Sequence, residues 1–166
     1  MYRLRPATAD DYDFLRWLHR ATMREYVERT WGWDEDVQAA MFRERFDPAG
    51  QQIVVVNGRD VGVLRVERRE DQLFLSELLI APEYQRRGLG GAILADLRAE
   101  AARAGLPLTL QVLKVNPARR LYERHGLCVT AETATHYLMS TISAPASPPH
   151  PAAGATPGTP QDDRTD

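Results

Sequence analysis

The chain has one cysteine, Cys128, among its 166 residues. A lone thiol excludes an intramolecular disulfide, and no zinc cluster or other metal site is expected. Cys128 follows a glycine and sits in an apolar run, so it reads as a buried structural thiol. No apolar run approaches the length of a membrane-spanning helix, and the N-terminus lacks the hydrophobic stretch of a secretion signal. No contact with a membrane and a cytoplasmic location are therefore expected. An excess of one charge is missing too. Lys and Arg number 21 against 23 Asp and Glu, and one Arg and three Asp lie after Ser143, which leaves twenty of each sign in residues 1–142. A nucleic-acid surface built on bulk charge is not expected. No internal repeat is visible.

What the chain does have is alternating strand and helix patterns up to Ile142. The length suits one domain, able to bury roughly two thirds of the surface its unfolded chain exposes. Tyr2 to Arg5 reads as a short strand stopped by Pro6. Thr8 and Asp11 stand in capping-box positions before a helix from Asp10 to Arg29, with Phe14, Leu15, Leu18 and Ala21 or Thr22 on its inner stripe and His19 at its boundary. Trp31-Gly32-Trp33 breaks that pattern, and Asp34 caps a second helix running to Phe46. Gln52 to Val56 and Val61 to Glu67 are strands about a turn at Asn57 to Asp60. Leu73 to Ile80 is an apolar strand, Leu108 to Leu113 another, and Leu127 to Thr130 with Thr135 to Thr141 a terminal hairpin. The expected fold class is α/β (α+β), a mixed sheet flanked by helices over residues 1–142. Residues 143–166 are rich in Pro, Ala, Gly, Ser and Thr with no aromatic residue, a composition that cannot offset ordering entropy, and they are expected to form a disordered tail.

The most informative stretch joins the strand Leu73 to Ile80 to the helix that ends at Gly105. Its turn, Gln85-Arg86-Arg87-Gly88-Leu89-Gly90, precedes apolar positions Leu89, Ile93, Leu94 and Leu97 at helical spacing. A turn at a helix N-terminus offers unpaired N–H groups and the positive end of the helix dipole. Gly88 and Gly90 let a ligand approach the main chain, and Arg86 and Arg87 add charges that suit phosphate oxygens. The pattern fits a pyrophosphate cradle; it equally fits a turn that starts a helix and carries solvated arginines. A Walker loop is excluded because no Gly-Lys-Ser/Thr follows, and only two glycines of a dinucleotide fingerprint stand at the required spacing.

The segment PEYQRRGLGGAIL resembles the acyl-CoA-binding segment of the GNAT acetyltransferase superfamily, and NPARRLYERHGL (Asn116 to Leu127) resembles its downstream helix. The likeness covers Met1 to about Ile142. It implies a sheet splayed between the strand Leu73 to Ile80 and the strand Leu108 to Leu113, with acetyl-CoA as acyl donor in the gap. The implied cofactor contacts are Leu79, Ile80, Gln85, Arg86, Arg87, Gly88, Leu89, Gly90, Gly91, Asn116 and Tyr122. The loop between the first two helices is implied as a wall for the acceptor, which makes Tyr26, Trp31 and Trp33 candidate substrate contacts beside Asp34 and Glu35. Such a wall suits an amine of a small molecule or peptide. Members of the superfamily often pair as homodimers.

Acyl transfer to an amine makes two proton demands. An alkylammonium is neutral only about once in two thousand at pH 7, so the nucleophile must lose a proton. The leaving thiolate, with a pKa near 8.5, needs modest acid help. Tyr122 is the candidate acid, although it lies six residues after Asn116 where the superfamily more often has seven; a core tyrosine is the competing reading. Asn116 is either a ligand contact or an N-cap before Pro117. Glu77 is the candidate base and substrate contact, placed by strand alternation on one face with Leu75 and Leu79, where burial would raise its pKa. A structural Glu or proton transfer through water remains open, and His136 and Glu132 are weaker acceptor contacts. The function expected is direct N-acetyl transfer to a primary amine. The alternatives are a catalytically silent acyl-CoA-binding module and an unrelated nucleotide-binding α/β protein.

Overall fold

A computed structural model describes residues 1–141 of the chain; Ile142 and the expected tail, residues 143–166, lie outside the described residues. In chain order the elements are β1 (Arg3–Pro6), α1 (Tyr12–Trp31), α2 (Glu35–Arg45), β2 (Gln51–Val56), β3 (Arg59–Arg68), β4 (Leu73–Ile80), α3 (Leu89–Ala104), β5 (Leu108–Leu113), α4 (Arg119–Arg124), β6 (Cys128–Glu132) and β7 (His136–Ser140). The strands form one sheet ordered β1-β2-β3-β4-β5-β7-β6. Every neighbouring pair is antiparallel except β4 and β5, which run parallel and are joined through α3, the long crossover that parallel pairing demands.

Local chemistry sets most of these boundaries. Asn57 and Gly58 have φ of 50° and 76°, so the β2–β3 connection is a two-residue hairpin loop whose left-handed residues match the strand twist, and β3 starts at Arg59. Asp34 accepts a hydrogen bond from the Val37 N–H at 2.9 Å and caps α2. Asp11 accepts from the Thr8 N–H at 2.8 Å and from Arg5 at 2.7 and 3.0 Å, tying β1 to the turn before α1. Gly105 ends α3 in the left-handed conformation.

Two apolar clusters lie on the two faces of the sheet. Val54, Leu64, Leu73 and Leu75 pack with Ile93, Leu94 and Leu97 of α3. Ile53, Val55 and Val63 pack with Leu15 and Leu18 of α1. Each such buried side chain contributes about 2 kcal/mol relative to exposure.

Three expectations need correcting. First, α1 runs on to Trp31, which is helical rather than part of the following loop; Gly32, at φ 85°, ends it. Second, Leu75 and Leu79 do not share a face. Arg65 pairs with Glu77 while Val66 pairs with Leu75, so Ser76 is an extra residue in β4, its Oγ donating to the Arg65 carbonyl at 3.3 Å. A bulge of this kind bends the strand and resets its alternation. Leu75 joins the α3 cluster and Leu79 the α1 cluster. Gln51, Arg65 and Glu77 stand in register two positions from Ile53, Val63 and Leu79, so Glu77 belongs to the α1 face. Third, Cys128 is exposed, because β7 inserts between β5 and β6 and leaves β6 at the edge of the sheet with little packed on it.

Candidate functional site

Parallel pairing between β4 and β5 covers only Leu73↔Leu108, Phe74↔Thr109 and Leu75↔Leu110. β4 continues to Ile80 and β5 to Leu113, but no further pairs join them. The sheet therefore opens where the Ser76 bulge bends β4. From Glu77 to Ile80, β4 keeps β3 on one edge and has no strand partner among the described residues on the other. An unpaired strand edge offers a row of N–H and C=O groups to an extended ligand.

The turn beyond that edge is held in shape by its own side chains. Gln85 donates from Nε2 to the Ile80 carbonyl at 2.8 Å, folding the turn back over the end of β4. Its backbone N–H donates to Pro82 at 3.2 Å, so the row of free amides starts at Arg86. Arg86 at φ 57° and Gly88 at φ 83° are left-handed, and α3 begins at Leu89. Such alternation points successive N–H groups into one concavity. Among the described residues no acceptor engages the N–H groups of Arg86, Arg87, Gly88, Leu89, Gly90 or Gly91; the first intrahelical bond runs from Ala92 to Gly88 at 2.9 Å. Arg86 and Arg87 are exposed beside them, Arg87 lying 5.7 Å from the Tyr84 ring centroid.

The helix α4 closes one side of this turn. A Cβ on Gly90 would come within 3.2 Å of Leu121, and one on Gly91 within 3.1 Å of His125 Nε2. These glycines therefore admit the close approach of α4. The sequence reading missed His125 as a neighbour of the amide row, since only the close approach of α4 to α3 reveals it. Tyr122 packs against the α3-side core, and burial pushes its hydroxyl up to about 12. A phenol held there stays protonated at neutral pH and makes no hydrogen bond among the described residues. Asn116 Oδ1 accepts from the Ala118 N–H at 2.9 Å, closing a turn around Pro117, but α4 starts at Arg119 with Ala118 at its N-cap, so Asn116 stands two residues ahead of the capping position.

Glu77 is largely enclosed, and burial raises its pKa, opposed by a hydrogen bond from Gln51 and by the charge of Arg65. Gln51 Nε2 donates to Glu77 Oε2 at 2.8 Å. Gln51 was not singled out in the sequence, because a pair bridging β2 and β4 depends on register alone.

The candidate acceptor residues do not form one wall. Trp31 is 61 % exposed and its ring lies 6.1 Å from that of His136 on β7, so the end of α1 meets the terminal hairpin. Trp33 turns elsewhere, stacking near His19 at 6.5 Å with Arg24 5.8 Å from its ring. It lines a pocket of about 240 Å³ between α1 and α2 with Trp17, His19 and Phe42. Neither β4, β5 nor the Gln85–Gly91 turn lines that pocket. Burial there lowers the pKa of His19. Tyr26 is half-buried on α1, its hydroxyl pKa raised by burial. Glu132 pairs with Lys114 at 3.3 Å. Among the described residues there is no cluster of three or more His, Cys, Asp or Glu that could hold a metal ion, and no helix long and apolar enough to cross a membrane.

A mixed seven-stranded sheet, opened between two parallel strands beside a row of free amides at a helix N-terminus, is the architecture of the GNAT fold. Residues 49–126 match the family model described as an acetyltransferase (GNAT) domain. Solved structures of similar fold include the PaiA N-acetyltransferase from Thermoplasma acidophilum in complex with coenzyme A, with 15 % identity and a TM-score of 0.69 over 84 % of this chain and 98 % of that one. An acetyltransferase from Thermus thermophilus shares 23 % identity at a TM-score of 0.62, over 84 % and 96 %. The ribosomal-protein-S18-alanine N-acetyltransferase from Escherichia coli shares 22 % at 0.58, over 89 % and 97 %.

Proposed function

We propose that the chain binds acetyl-CoA in the gap between β4 and β5 and transfers the acetyl group directly to a primary amine of a small molecule or peptide. The observation that carries this is the juxtaposition of an unpaired β4 edge with six free main-chain amides. A diphosphate seated on those amides would meet both the N–H row and the positive end of the α3 dipole. The pantetheine arm would then run along β4, through Ile80 and Leu79, towards Glu77. Coenzyme A bound to the PaiA enzyme, which shares this fold, supports that assignment of donor.

Within this reading Glu77 accepts the ammonium proton. Burial makes its carboxylate more basic than usual, while Gln51 and Arg65 keep the ionised form accessible. Tyr122 supplies a proton to the leaving thiolate, a role open to a hydroxyl with a pKa of about 12 that no other group among the described residues engages. The Nδ2 of Asn116 remains for a ligand while its Oδ1 accepts from the Ala118 N–H. Trp31 and His136 frame the acceptor, and Trp33 belongs to the separate α1–α2 pocket.

The test is coenzyme A release across a panel of primary amines, with acetyl-CoA binding measured in parallel by calorimetry. Turnover with at least one amine is expected. Tight acetyl-CoA binding without thiol release for any amine would favour the silent binding module. Stabilisation by ATP or NAD but not coenzyme A would favour a nucleotide-binding protein.

A further inference from the structure

Gln51 opens β2, two strands away from β4, yet its amide reaches Glu77 across Arg65 on the intervening strand. The orientation of that amide is fixed by its partner. A carboxylate only accepts, so the group 2.8 Å from Glu77 Oε2 must be the NH₂ end, as reversing the amide would set acceptor against acceptor. The opposite end, Gln51 Oε1, is buried with no hydrogen-bond partner among the described residues. A buried amide placed for stability alone would have both ends satisfied. Here only the N–H end has a partner, and that partner is the carboxylate.

We propose that Gln51 is a positioning residue for acyl transfer: its Nε2–H fixes the Glu77 carboxylate at the mouth of the β4–β5 opening and favours its ionised form. This rests on Glu77 acting as the base. The position of Glu77 supports it, since the last β4–β5 pair is Leu75↔Leu110 and Glu77 is the second residue beyond it. The remaining charged neighbour is Arg65, whose guanidinium is partly drawn away towards Asp47 at 3.4 Å and the Ala49 carbonyl at 3.2 Å. On α1, which packs against β4, the half-buried titratable side chains are Tyr12, His19 and Tyr26, and the charged residues of α2 are exposed. Gln51 is thus the one direct donor to this carboxylate among the described residues.

The experiment follows Glu77 itself by carbon NMR of the full chain labelled at glutamate Cδ, its resonance assigned with Glu77→Gln. In Gln51→Met the Glu77 midpoint should move up by about one pH unit, since losing a donor disfavours the charged form. Gln51→Ser, too short to reach Glu77, serves where the apolar variant does not fold. The acidic limb of the kcat/KM profile for amine acetylation should move by the same amount, with the plateau above it kept. A merely structural residue would lower activity evenly at every pH. An unmoved midpoint overturns the proposal. A moved midpoint with an unmoved limb overturns the catalytic positioning while leaving the transferase reading intact. A moved midpoint with no turnover on any amine overturns both.

Discussion

Substituting Gly88 by Ala isolates the backbone of the amide row. At φ 83° an L-residue pays about 1–2 kcal/mol for left-handed geometry. No atom of the described residues lies within 4 Å of the added Cβ, so no steric term joins the strain. The strain can be met in two ways. If the free turn keeps its shape, folding stability falls by the full amount and coenzyme A affinity is unchanged. If the free turn relaxes to negative φ, stability is spared and the ligand must restore the strained shape, which lowers affinity by roughly 5- to 30-fold. In either case the loss of folding stability and the loss of binding free energy should add to about 1–2 kcal/mol. Urea unfolding of the ligand-free chain measures the first quantity and titration calorimetry with coenzyme A the second. A sum near zero would refute the link between this left-handed residue and the grip on the diphosphate. So would a binding loss well beyond the strain with stability intact.

Three further perturbations address the chemistry. Glu77→Gln should abolish most turnover. Because burial raises the Glu77 pKa, the native state holds its proton above the unfolded value of about 4.3, so wild-type stability falls as pH rises through that window. The variant lacks this loss, and its stability relative to wild type should improve between pH 4 and 8 in urea unfolding. Tyr122→Phe should lower kcat by about 10²-fold, the low end for general acids because a thiolate leaves readily, with acetyl-CoA affinity retained in calorimetry. Trp31→Ala should change stability by less than about 0.5 kcal/mol, since the side chain is largely exposed, while raising the acceptor KM severalfold in steady-state assays.

How far the sequence reveals this site depends on whether a feature is local. The Gln85–Gly90 turn was legible because glycine spacing, a preceding strand and a following amphipathic helix all lie within one short segment. The turn at Asn116 was legible for the same reason, as the residue and its proline are consecutive, but the helix cap falls two residues later, at Ala118. Trp31 and Trp33 look equivalent in sequence, with one glycine between them. The left-handed Gly32 at the helix end sends one indole to the terminal hairpin and the other to the α1–α2 pocket, and neither destination is encoded nearby. Cys128 reads as core because its neighbours are apolar. Its exposure follows from β7 taking the place beside β5, a choice between strands that periodicity does not make.

Glu77 shows most clearly why such failures gather at the site. Regular alternation would have put it with Leu75 on the α3 side, away from Gln51 and Arg65. One extra residue, Ser76, moves it to the α1 face and at the same time bends β4 off the path that β5 follows. The separation of the strands and the aim of the carboxylate are thus two effects of one backbone irregularity. The irregularity in turn is set by which residue of β3 faces which residue of β4. The β4–β5 opening and the Glu77 carboxylate beside it are therefore coupled by register. That is why residues as distant in sequence as Gln51, Ser76 and Tyr122 must be read together.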